Sequence, residues 1–138
     1  MDIPEAPPTS GQTGLPLAGL IVAGFPSPSE EELRDIISFD AYLVPRANAS
    51  FLLRVSGDSM TGAGIMPGDL VIVEKGRQPK VGNIVIAEVD GQWTMKYFRR
   101  EKGQVFLEAA NPAYPAIRPR MELRLAGIVT ACIRKYAL

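Results

Sequence analysis

Beyond position 50 the chain repeatedly sets apolar, β-branched and aromatic residues in short runs with a period of two, over 51–55, 69–74, 83–89, 92–98, 104–109 and 122–136. Runs of this length and composition, bounded by turn residues such as Pro67-Gly68, predict strands. Asp90-Gly91 is a two-residue hairpin signal, so 83–89 and 92–98 are expected to pair antiparallel. In the second of these, alternation puts Thr94, Lys96 and Phe98 on one face and Trp93, Met95 and Tyr97 on the other. Six strands joined by short turns predict a mostly β fold, a sandwich or partly closed barrel.

Upstream the pattern changes. Ser29-Glu30-Glu31-Glu32 reads as a capping box, and Leu33, Ile36 and Ile37 follow at helical spacing, which predicts one short amphipathic helix. Before it, the apolar stretch 15–25 contains Pro16 and runs into Pro26-Ser27-Pro28, so an extended segment is expected there. Residues 1–14 hold three prolines and two glycines and little to bury, the composition of a flexible arm. The expected organisation is an N-terminal arm over 1–24 and one β-rich domain over 25–138.

Composition changes this picture mainly by exclusion. The 138 residues are 46% hydrophobic, enough for a core. Fifteen basic and fifteen acidic residues cancel, which argues against direct DNA binding. The stretch 15–25 falls short of the roughly 20 apolar residues of a spanning helix, and Asp2 and Glu5 stand where an export signal carries positive charge. Neither a membrane segment nor a leader is expected, and a cytoplasmic location fits. The single cysteine, Cys132, lies in an apolar run and is expected to be a small buried hydrophobe. Histidine is absent, which removes Ser-His-Asp and Cys-His catalysis and any histidine metal site. No metal or cofactor is expected. A nucleophilic enzyme built from this chain needs Lys, Asp, Glu or Tyr as its base.

Two residues meet that requirement. Ser59, in Ser56-Gly57-Asp58-Ser59-Met60, sits where a strand ends in a glycine-rich turn (Thr61-Gly62-Ala63-Gly64), a place that exposes a hydroxyl and leaves backbone N–H groups free to hold an oxyanion. Lys96 stands among large side chains in Trp93-Thr94-Met95-Lys96-Tyr97-Phe98, and burial there lowers a lysine's pKa toward that of a base. Singly, each has a plainer reading: a turn serine and a solvated strand lysine.

Taken together, Ser56-Gly57-Asp58-Ser59-Met60, Gly64-Ile65-Met66-Pro67-Gly68-Asp69, Thr94-Met95-Lys96 and Asn111-Pro112-Ala113-Tyr114 occur in the order and spacing of one group. From about residue 15 to the C-terminus the chain resembles the LexA/UmuD family of self-cleaving SOS-response proteins. The resemblance implies a β-rich domain with a cleft, Ser59 as nucleophile and Lys96 as general base. It also implies self-cleavage at an Ala-Gly or Cys-Gly bond upstream. Ala23-Gly24, followed by Phe25-Pro26-Ser27-Pro28, matches the UmuD register, and Ala18-Gly19 is the runner-up. Where UmuD has cysteine before the scissile glycine, this sequence has Ala23, as LexA does. Small residues let that bond approach Ser59, while Leu20, Ile21 and Val22 suit apolar subsites.

Only about 23 residues precede the expected cut, too few for the helix-turn-helix domain of a LexA-type repressor, so the resemblance is closest to UmuD. That likeness implies a homodimer, triggering by the activated recombinase filament on single-stranded DNA, and a trimmed form that serves as accessory subunit of an error-prone Y-family translesion polymerase. The final run, 122–136, is either core or a self-association edge. The 35-residue tether from Gly24 to Ser59, on the order of 100 Å extended, permits cleavage in cis or in trans. The competing readings are a signal peptidase, a LexA-like or phage-type repressor fragment, and a non-catalytic β binding domain.

Overall fold

A computed structural model describes residues 14–21, 35–120 and 122–138. The chain divides between Pro45 and Arg46 into two compact units, each of which is described by itself. In the first, strand β1 (Leu15–Leu17) pairs antiparallel with β2 (Asp35–Ile37), with Leu15 opposite Ile37. The helix α1 (Phe39–Leu43) follows, its Ser38 hydroxyl accepting from the Ala41 N–H. This corrects the expected helix. The β-branched pair Ile36-Ile37 is a strand, matched to the extended stretch around Pro16, and the helix starts at a serine cap further on. The capping box at Ser29-Glu32 lies outside the described residues.

The second unit holds β3 (Ser50–Arg54), β4 (Leu70–Glu74), β5 (Ile84–Val89), β6 (Gln92–Glu101), β7 (Gln104–Glu108) and β8 (Leu123–Ile133). They form one antiparallel sheet in the order β3-β4-β8-β5-β6-β7, open at β3 and β7. The fold is mostly β, as the periodicity predicts. Asp90 and Gly91 both take positive φ, 47° and 88°, the mirror-image turn that suits the twist of a hairpin. The final run, β8, has neighbours on both sides and is therefore an inner strand, not an edge. It carries an extra residue against each of them, Thr130 against β4 and Ala126 against β5. Gly127 sits where the backbones crowd, since a Cβ there would meet the Glu74 carbonyl oxygen at 2.7 Å.

The sheet buries an apolar cluster on each face. Val55, Met60, Ile65, Val71, Val73 and Ile86 form one, and Val85, Ala87, Val89, Phe98 and Leu107 the other. Alternation along β6 follows the expected sides, with Met95 and Tyr97 against the first cluster and Phe98 in the second. Cys132 departs from expectation. It is exposed near the end of β8, and its thiol donates to the Asp69 carboxylate at 3.3 Å.

Candidate active site

The loop that carries Ser59 is fixed at both ends by the sheet. As the chain leaves β3, the Val55 N–H donates to the Asp69 carbonyl at 2.8 Å and the Gly68 N–H returns to the Val55 carbonyl at 2.9 Å. Between these ties the chain must reverse, and Gly57 (φ 89°) and Gly64 (φ 81°) supply left-handed conformations that a side chain would strain. Met60, next to the serine, is 1% exposed and plugs the loop into the first cluster. A turn of 3-10 helix over Thr61–Ala63 follows. Ser59 is left half-buried at the rim.

Lys96 comes from the middle of β6, opposite Val85 of β5. It is 7% exposed, and burial, which disfavours the ammonium, pushes its pKa below the ordinary lysine value. The plainer reading of a solvated strand lysine therefore does not hold. Its Nζ lies 3.0 Å from Ser59 Oγ, 2.7 Å from Thr94 Oγ1 and 3.2 Å from the Met95 carbonyl oxygen. A neutral amine has two hydrogens and one lone pair. With the carbonyl and the threonine oxygen taking the hydrogens, the lone pair is left facing the serine hydroxyl, the arrangement a general base needs.

Next to the pair is a cleft of about 230 Å³ lined by 55–60, 93–96 and Tyr114. A second hollow of similar size shares Val55, Ser56 and Trp93 to Met95 with it and adds Leu53, Arg54, Val71 and Ile86. Together they suit an extended chain with apolar side chains. Among the described residues the N–H groups of Ser59 and Met60 donate to no other backbone group, so both remain available at the Ser59 turn.

A second loop, 110–114, braces the first. The Gly62 N–H donates to the Ala110 carbonyl at 2.6 Å, and the Asn111 amide donates to the Asp58 carbonyl at 2.9 Å. The Asn111 side-chain oxygen accepts from the Ala113 N–H at 2.9 Å, shaping its own turn. Tyr114 Oη donates to the Asp58 carboxylate, and the carboxylate raises the pKa of the phenol.

Below the site, Asp69 is buried with Arg134 across it. Arg134 Nε and Nη2 reach the two carboxylate oxygens at 2.8 and 2.7 Å, and Nη2 also donates to the Gly64 carbonyl at 2.6 Å. The guanidinium, helped by the Met66 N–H at 2.8 Å, holds the Asp69 carboxyl well below the usual carboxylate range.

The structure thus brings Ser59 and Lys96 together, 37 positions apart in the chain. Ala23-Gly24 lies outside the described residues. Ala18-Gly19, the runner-up, follows β1 in the first unit. Roles for Thr94, Asp58, Asn111, Tyr114 and the Asp69–Arg134 pair were not assigned from the sequence. Five of these six lie inside the quoted motifs, which was the available signal. Arg134 has none, because its partner is 65 residues away.

The Peptidase S24-like family description matches residues 16–130. The chain is 43% identical over 113 residues to protein SamA of Salmonella typhimurium, covering 82% of this chain and 79% of that protein. It is 42% identical over 125 residues to the LexA repressor of Verrucomicrobium spinosum (88% of this chain, 61% of the repressor). It is also 42% identical over 123 residues to the LexA repressor of Mycolicibacterium smegmatis (89% and 50%). The chain therefore spans between half and two thirds of those two repressors.

Proposed function

The chain belongs to the Peptidase S24-like family of self-cleaving serine peptidases, and from that premise we propose that Ser59 and Lys96 cut its own Ala23–Gly24 bond. The observation that carries this reading is the 3.0 Å approach of the buried Lys96 amine, its pKa lowered by burial, to Ser59 Oγ. Neutral Lys96 takes the hydroxyl proton as Oγ bonds to the Ala23 carbonyl carbon. The oxyanion is received by the Ser59 and Met60 N–H groups. The tetrahedral centre collapses, the C–N bond breaks, and the Lys96 ammonium gives its proton to the departing Gly24 nitrogen. Water, deprotonated by the regenerated amine, then hydrolyses the ester to free the Ala23 carboxylate and restore Ser59.

The trimmed product acts, in this proposal, through protein contacts as a UmuD-like accessory subunit of a Y-family translesion polymerase. Similarity to SamA and the balance of 15 basic and 15 acidic residues support contacts with protein over contacts with DNA. The activated recombinase filament is the proposed trigger and a homodimer the proposed assembly. Because β8 is an inner strand, that dimer would form through its exposed residues, Leu125 among them, without pairing its edges. The similarity to LexA repressors favours a second reading, a repressor's cleavage domain. Capture of a polymerase subunit, as against operator DNA, separates the two.

Incubation of the pure full chain between pH 7 and 10, followed by mass spectrometry and N-terminal sequencing, tests the chemistry. Expected is a fragment beginning at Gly24 that accumulates faster as pH rises and vanishes in Ser59→Ala and Lys96→Ala. Processing at Gly24 in either variant would overturn the dyad, and a fragment beginning at Gly19 would move the cut to Ala18.

A further inference from the structure

Tyr114 stands at an unusual junction. Its ring centroid is 6.0 Å from Lys96 Nζ, it lines the cleft, and its hydroxyl donates to the side chain of Asp58, the residue immediately before the nucleophile. We propose that Tyr114 is a positioning residue with two separable parts: a ring that covers the Lys96 amine from the cleft side, and a hydroxyl that tethers the nucleophile's turn through Asp58. The inference rests on the Ser59–Lys96 reading above.

The cover follows from what surrounds the amine. On the protein side Nζ meets Ser59 Oγ, Thr94 Oγ1 and the Met95 carbonyl, all uncharged. The titratable groups that face it from the packed loops, among the described residues lining the cleft, are Tyr114 and, beyond its hydroxyl, Asp58. Two effects of the ring oppose each other. Its π face attracts an ammonium, but 6.0 Å is at the outer limit of such an interaction. Its bulk keeps water from the amine, and loss of hydration is what lowers the lysine's pKa. Exclusion of water therefore outweighs attraction, and the ring favours the neutral base.

The tether follows from chain geometry. Asp58 is held at its carbonyl by the Asn111 amide (2.9 Å) and at its carboxylate by Tyr114, so both ends of one short loop, 111–114, grip the same residue. The hydroxyl also occupies the carboxylate's oxygen. Released, that carboxylate is a negative charge free to turn toward Lys96, which would raise the amine's pKa.

The test separates ring from hydroxyl. Tyr114→Phe keeps the cover and loses the tether; Tyr114→Ala loses both. In self-cleavage followed from pH 7 to 11, Tyr114→Ala is expected to move the midpoint of the rate profile to higher pH by about one unit, with a lower plateau. Tyr114→Phe combined with Asp58→Asn, which removes the released charge, is expected to keep the wild-type midpoint and lose about three- to tenfold in plateau rate. Asp58→Asn alone retains an acceptor for the hydroxyl and is the reference against which the plateau of the double variant is read. A direct reading that does not need cleavage is the titration of the Lys96 ε-carbon by NMR in the uncleavable Ser59→Ala chain, with and without Tyr114→Ala. An unmoved Lys96 titration on removing the ring overturns the cover, and a wild-type plateau in the Tyr114→Phe, Asp58→Asn pair overturns the tether. Loss of cleavage in the wild-type chain would instead overturn the dyad reading, while the NMR titration would still decide the cover.

Discussion

Replacing Thr94 by valine tests the geometry around Lys96 with a change of nearly the same shape. The hydroxyl oxygen lies 2.7 Å from Nζ, closer than Ser59 Oγ or the Met95 carbonyl oxygen. A hydrogen bond to a charged group contributes about 1.5–3 kcal/mol and one between neutral groups about 0.5–1.5 kcal/mol. Thr94→Val therefore costs the ammonium about 1–1.5 kcal/mol more than it costs the neutral amine. Two consequences follow from that one difference. The lysine's pKa falls by about one unit. The plateau rate, measured from neutral lysine to a transition state in which the amine has taken the serine proton, falls about five- to tenfold.

The two effects cancel below the lysine's pKa. There the ground state and the transition state both carry the ammonium, both lose the same bond, and the rate scarcely changes. The expected profile is thus a crossover: variant and wild type overlap on the acid limb, and the variant levels off earlier and lower. Rate constants for appearance of the Gly24 fragment, taken every half unit from pH 6 to 11, would show it. A uniform fall at every pH would mean that the substitution had only disturbed packing. A midpoint displaced upward would refute the assignment of Thr94 as a partner of the ammonium.

Two further substitutions probe the supports. Gly62→Ala would place a Cβ 2.5 Å from the Ala110 carbonyl oxygen, so the Ser59 turn and its brace must part. A loss of about 1–3 kcal/mol in urea unfolding, together with slower cleavage, is expected, and unchanged values in both would show that the two loops do not depend on each other. Asp69→Asn removes a carboxylate whose folded pKa lies below its unfolded value. Such a group adds stability above its unfolded pKa, near 4, and loses it as pH falls toward the folded value. The variant should be less stable than wild type at pH 7 and the gap should narrow by pH 2–3; a gap that stays constant with pH would refute the electrostatic account.

Strands beyond position 50 were legible because their cue is local. β4 reads Leu-Val-Ile-Val-Glu, and 70–74 is indeed buried almost throughout in an inner position. Asp90-Gly91 marks its hairpin within two residues. The failures were local cues outweighed by partners far away. Ile36 and Ile37 fit helical spacing, yet β1, some twenty residues earlier, offers a strand partner to a β-branched pair that gains little from a helix. Cys132 sits in an apolar run, but alternation along β8 leaves it exposed between half-buried Ala131 and Ile133, with its thiol in reach of Asp69.

The candidate site shows the same division between short and long range. Ser59 and Lys96 were found as residue types in suitable surroundings, but nothing in the chain states that a β6 lysine will reach a loop 37 positions earlier. That meeting depends on where the hairpin places β6 and on Met60, whose burial anchors the serine's loop to the sheet. Both are consequences of the fold, and in the proposed reaction neither residue acts without it. A serine hydroxyl needs a base, and a lysine becomes one only when water is kept from it. In the proposed mechanism, core packing around β6 is therefore part of the chemistry: what excludes water from Lys96 also sets how far Ser59 can be deprotonated.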